Sequence, residues 1–370
     1  MSNDEIRERV IARAIAIQSI PAPTFGEAQR AAFVREALQA EGLKDVQVDD
    51  LGNVFARIPG VAREPFLVLS AHTDTVFPID TDLNLKRSTE RITGPGIGDN
   101  SLGVAGLFGL LWMLQAEAIT LPGDVWLVAN VAEEGLGNLV GMQAVVKRFA
   151  GGPAAYIILE GLAYGRVFHQ GLGVCRYEIT ATGPGGHSWV DFGRPSAVVA
   201  LAKLVLDLQT IPLPARPRSS LTVGVISGGT SVNTIPAHAT LQLDLRSTDP
   251  VQLQRLREKV EKLVAASSTS AIEFSLKLIG ERPVGAIKKS HPLVKAAVKA
   301  LEKGGKTAEL NIGSTDANVP LSMGYPAVCI GLTTGGDAHT TAEFMNLHPL
   351  NAGLRQLQDL VCAAYSLENR

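Results

Sequence analysis

The chain of 370 residues is poor in cysteine, in charge and in long apolar runs, and each shortage closes off a class of protein. Its three cysteines, Cys175, Cys329 and Cys362, are an odd set lying far apart with no CxxC pair, which argues against a disulfide framework. Cys175 and Cys329 fall in strand-like runs and read as buried, inert thiols. Charged residues make up 19% against 46% hydrophobic, a balance that implies a large buried core rather than disorder. The net charge of −2 leaves no basic excess to neutralise phosphates, so nucleic acid is not an expected partner. The longest apolar stretch, Leu102 to Leu114, is too short to span a bilayer, and no membrane is expected. The opening Met1-Ser-Asn-Asp-Glu-Ile-Arg-Glu-Arg mixes both signs of charge and reads as the first turn of a helix, not a secretory signal, so the expected location is cytoplasmic.

What the chain does have is an alternation of strand and helix patterns, broken once. Two helices on either side of Ser19-Ile-Pro-Ala-Pro lead into strands at Val46 to Ile58 and Pro65 to Ala71. A helix over Ser101 to Glu117, a strand at Val125 to Val131, a helix at Leu139 to Phe149 and a strand at Ala155 to Leu159 follow. Such alternation predicts an α/β fold with a mainly parallel sheet. From Val174 to Ile279 the order becomes β-α-β-β-α-β, that of a small open-faced sandwich with a core of its own. The first pattern then resumes, with a strand at Ala327 to Leu332 and a last helix over Leu350 to Leu367. The expected division is 1–172 and 286–370 for one domain, with 173–285 inserted into it. A chain of this length exceeds what one compact core usually takes.

Several acidic and imidazole side chains each follow a short apolar run. Leu67 to Ala71 leads into His72-Thr73-Asp74, Val125 to Ala132 into Glu133-Glu134, Tyr156 to Leu159 into Glu160, and Ala327 to Leu332 into a Gly-rich loop and His339. Open α/β sheets bind ligands outside the carboxyl ends of their strands, so these side chains, with Asp99 after the Gly94-Pro-Gly-Ile-Gly98 turn, could converge on one metal site. Mixed nitrogen and oxygen donors suit zinc, manganese or cobalt better than calcium or an iron–sulfur cluster. Two divalent ions would bring four positive charges against three from Asp99, Glu134 and Glu160, leaving one for a hydroxide. A hydrolytic metalloenzyme is therefore expected. The Gly-rich turn lacks the Gly-Lys-Ser/Thr ending of a phosphate loop, and no Gly-x-Ser-x-Gly elbow supports serine catalysis. His238, His291 and His348 read as structural imidazoles, and His169 stays open.

Taken together, His72-Thr-Asp74, Gly98-Asp99-Asn100, Glu133-Glu134-Gly135, Glu160, Gly185-Gly186-His187-Ser188, Asn233-Thr-Ile-Pro236 with Asp244-Leu-Arg246, and His339 resemble the M20 family of metallopeptidases. That family includes carboxypeptidases, di- and tripeptidases and amino-acid deacylases. The resemblance implies a zinc-peptidase-like catalytic domain with an inserted lid and dimerisation domain. It implies two divalent ions, Zn2+ first with Co2+ or Mn2+ as alternatives. His72 and Glu160 would bind one, Glu134 and His339 the other, and Asp99 both. Asp74 would then orient His72, and Glu133 would be the general base of amide hydrolysis on a small peptide or, alternatively, an N-acyl amino acid. His187 would stabilise the oxyanion across a homodimer, while Asn233 and Arg246 would hold substrate. The family's bridging Asp is commonly followed by a cis peptide and a second Asp; here the second residue is Asn100. Glu160, where aminopeptidases carry Asp, looks more like the carboxypeptidases and deacylases.

Overall fold

A computed structural model describes residues 1–366. The chain divides into two compact units, Met1–Gly171 with the residues from Gly285 onward, and Leu172–Val284.

The larger unit is built on a nine-stranded sheet. Its centre is four parallel neighbours in the order Val125–Asn130, Leu67–His72, Ala155–Leu159, Ala327–Ile330. Antiparallel strands flank them: Val54–Ile58 on one side and Arg166–Gly171 on the other. The parallel strands are mainly apolar because helices cover both faces, and the polar Ser70, His72 and Asn130 within them are buried. Leu67, Leu69 and Ala71 join one core with the helices Asn3–Gln18, Gly103–Ala116, Pro292–Lys303 and Leu350–Ala364, whereas Val68 joins the core under Val140–Arg148. Alternation with a period of two thus persists inside a continuous apolar run. The stretch Ile97–Ala116 is long and apolar enough to cross a membrane, but 94% of its apolar window is buried inside this unit, as expected of a core helix.

The N-terminal helix starts as its sequence suggests, with Ser2 and Glu5 forming a reciprocal cap. Two expectations need correction. The helix read from Ser101 begins at Gly103, because Ile97–Leu102 forms a wider, irregular turn with non-helical backbone at Asp99 and Asn100. Arg166–Gly171 is a strand that the pattern did not reveal, since its burial alternates with His169 and Gln170 among its side chains. The last helix ends at Ala364; Leu367 lies outside the described residues.

The smaller unit is a four-stranded antiparallel sheet in the order Ser219–Gly228, His238–Ser247, Gly173–Thr182, Glu273–Arg282. Helices Ala197–Gln209 and Pro250–Ser267 bury Cys175, Tyr177, Ile179, Leu241 and Leu243 against one face. A separate ribbon pairs Gly186–His187 with Thr234–Ile235.

Candidate metal centre

Because the four central strands run parallel, their carboxyl ends lie side by side, and each delivers an acid or imidazole at the same rim. His72 closes its strand, Glu160 follows Leu159 directly, and Glu133 and Glu134 follow Asn130 by a short turn. His339 comes from the loop after Ile330, at a positive φ of 67°. Asp99 arrives from the irregular turn, where the Asp99–Asn100 peptide is cis. Gly161 allows the close approach of this turn, since a Cβ there would lie 2.2 Å from the Gly98 carbonyl oxygen.

Asp99 stands between two sets of donors. Its Oδ1 lies 3.2 Å from His72 Nε2, which is 3.6 Å from Glu160 Oε2. Its Oδ2 lies 3.2 Å from His339 Nε2, which is 3.2 Å from Glu134 Oε1. Ligand bonds of about 2.0–2.1 Å around a tetrahedral ion put neighbouring donors roughly 3.3 Å apart. The spacing is that of a metal-binding cluster: His72, Asp99 and Glu134 each place a ligand atom within 4.8 Å of the others, and the donors are the nitrogen and oxygen types that divalent ions accept.

The electrostatics point the same way. Burial would push Asp99 up, but the His339 and His72 contacts outweigh it and hold the carboxyl well below its usual range. Burial raises Glu160 to about 7 despite His72. Contacts with Asp99 and Glu134 raise His339 to about 10. Burial opposes a charge on His72, yet Asp74, Asp99 and Glu160 together raise it well above the ordinary imidazole range. Positive charge is thus strongly favoured between these carboxylates, whether it comes from protons or from ions.

Asp74, fully buried, organises the rim. Its Oδ1 accepts the N–H of Glu133 at 3.0 Å; its Oδ2 accepts that of Glu134 at 2.8 Å and the Thr24 hydroxyl at 2.9 Å. His72 Nδ1 lies 3.1 Å from the Asp74 carbonyl and 3.4 Å from its Oδ1. A neutral imidazole in that setting carries its proton on Nδ1 and turns the Nε2 lone pair toward Asp99 and Glu160. Asp74→Asn would set an amide NH2 against one of two backbone N–H groups, so turnover should fall about 10–100-fold, as measured by steady-state kinetics at saturating metal.

Asn100 explains its departure from Asp. Its Nδ2 donates to the Leu159 carbonyl at 2.7 Å and its Oδ1 accepts the Gly161 N–H at 3.0 Å, clasping the backbone on both sides of Glu160. An ionised Asp could make only the second bond.

Sequence reasoning missed Arg30 and Glu27. Buried Arg30 donates to the carbonyls of Thr73, Ile20 and Gln18, tying the Pro-containing turn to the residue after His72. Glu27 accepts the N–H of Ala132, which sits at a positive φ of 57°. A signal was present: Arg30 occupies the same helix face as Val34, Ala37 and Leu38, where a charge is out of place.

In the smaller unit, the ribbon brings His187 and Asn233 together, with the Ser188 N–H donating to the Asn233 carbonyl. His187 Nδ1 accepts the N–H groups of Trp189 at 3.1 Å and Val190 at 3.3 Å, so a neutral ring carries its proton on Nε2 and is a donor there. Arg246 belongs to the other sheet, where its Nε donates to Asp244 at 2.6 Å and Arg176 holds the opposite oxygen at 3.0 Å. Of the remaining imidazoles, His291 caps its helix by accepting the Leu293 N–H, and His169 bonds the Ile287 carbonyl.

The model of Peptidase family M20/M25/M40 matches residues 68–363. The chain is 25% identical over 264 residues to an N-acetyl-L-cysteine deacetylase of Bacillus subtilis, covering 68% of this chain and 61% of that protein. To a probable carboxypeptidase of Aspergillus clavatus it is 30% identical over 263 residues, covering 63% of this chain and 56% of the other. It therefore spans little more than half the length of these two relatives. A tripeptidase structure from Staphylococcus aureus superposes with a TM-score of 0.80 at 22% identity, covering 97% of this chain and 99% of that one.

Proposed function

The chain belongs to peptidase family M20/M25/M40, and from this premise we propose that it hydrolyses an amide bond in a small peptide at a centre of two divalent ions, zinc first. The observation that carries the reading is Asp99, each of whose oxygens lies 3.2 Å from a different imidazole nitrogen. His72 and Glu160 would hold one ion, and Glu134 and His339 the other. When bound, such ions acidify water to a pKa of about 7 and polarise the scissile carbonyl. Glu133 takes the proton from the attacking water and hands it to the leaving amine. Asp74 keeps Glu133, Glu134 and His72 in register through the bonds described above. His187 donates from Nε2 to the developing oxyanion, and Asn233 and Arg246 hold the substrate's backbone and carboxylate.

A second reading, N-acyl amino acid deacylation, is favoured by the match to the deacetylase. The two differ in what flanks the amide: a peptidase meets polar groups on both sides, a deacylase an apolar acyl chain. Metal analysis of protein purified without added ions, followed by hydrolysis assays on dipeptides beside N-acyl amino acids, tests both readings. Turnover of neither class by metal-loaded protein would refute the proposal.

His187 acts, in this reading, on the centre of a second copy in a homodimer. Mixing the inactive Glu133→Gln and His187→Ala chains is then expected to restore activity, toward one quarter of the wild-type rate if subunits exchange at random. No recovery after mass spectrometry has verified exchange would remove His187 from that role.

A further inference from the structure

Behind the Asp99 turn lies a carboxylate that no motif indicated. Glu343 is 0% exposed, four positions past His339 and immediately before the strand Phe344–Asn346. Its Oε1 accepts the N–H of Gly98 at 2.7 Å and that of Asp99 at 2.9 Å. Its main-chain carbonyl accepts the Gly94 N–H at 2.7 Å, and the strand that follows pairs with Arg91–Thr93. Side chain and backbone together fasten the segment bearing Asp99 to the segment bearing His339.

His72 and Glu160 each sit at the end of a central strand, where Asp74 orients the first and Asn100 clasps the chain around the second. His339 has no strand directly beneath it, and its side chain is 55% exposed. We infer that Glu343 is a positioning residue that sets Asp99 against His339, so that the Glu134, Asp99 and His339 donors stand at ligating distance before an ion arrives. The inference rests on the two-ion reading and concerns the preparation of one half of that centre.

Zinc titration against a chromophoric chelator tests it in the wild-type chain, Glu343→Gln and Glu343→Asp. Gln keeps an acceptor oxygen at the same reach, whereas Asp withdraws it by one carbon–carbon bond, about 1.5 Å. Glu343→Gln is expected to bind two ions as the wild type does. Glu343→Asp should bind the first ion unchanged and the second about tenfold or more weakly, in the range typical of lost outer partners. Two ions bound equally well by Glu343→Asp, or an ion lost from Glu343→Gln, would overturn the positioning role while leaving the two-ion reading intact. A wild-type chain that binds no zinc would defeat that reading first. Amide hydrogen exchange gives an answer without any variant. In metal-free wild-type protein the Gly98 and Asp99 amides should already be protected, and protection gained only on adding zinc would overturn the inference.

Discussion

Glu133→Gln is expected to retain the wild-type metal content and to lose about 10²–10⁴-fold in kcat, the range over which a positioned proton carrier contributes. The amide is nearly isosteric and leaves the main chain untouched, so the Glu133 N–H still reaches Asp74. What disappears is the ability to accept a proton from water and release it to an amine. KM should change little, because a proton carrier acts mainly on the transition state. Metal analysis beside steady-state kinetics reads both parts. Full activity in Glu133→Gln would take the base role away from this residue.

Asp99→Asn should act on the ions themselves. One oxygen would remain to face one imidazole, while an NH2 group, which only donates, would face the other. Bound metal is expected to fall from two equivalents to one, with activity lowered by orders of magnitude. The change also removes the negative charge that holds His72 and His339 positive, so both imidazoles should titrate at lower pH in the metal-free variant; histidine NMR reads the sign directly. Two equivalents bound as tightly as in the wild type would refute the bridging role proposed for Asp99.

Much of the larger unit was legible because its physics is local. An apolar run such as Leu67–Ala71 ending in His72 reads as a buried strand with a functional end, and the structure places His72 at that end. The helices on either side of the Pro-containing turn carry their own periodicity, and the first also its own cap. Arg166–Gly171 escaped because alternating half-burial over so few residues gives a weak signal. The irregular turn before Gly103 also escaped: Gly98-Asp99-Asn100-Ser101 reads as an ordinary loop running into a helix start, and nothing local marks the non-helical backbone at Asp99 and Asn100.

Residue identity and short-range spacing were enough for most strands and helices of the core, for the donor types available to a cation and for the kinship with an amide-hydrolysing family. Which oxygen of Asp99 faces which imidazole, the two backbone N–H groups that Asp74 gathers as well as His72, the clasp of Asn100 around Glu160, and the places of Arg30 and Glu343 behind the rim emerge only from the folded chain. The reason is separation along the chain. Glu343 and Gly98 are 245 positions apart, and a hydrogen bond over that span exists only once the sheet has brought both segments to one edge.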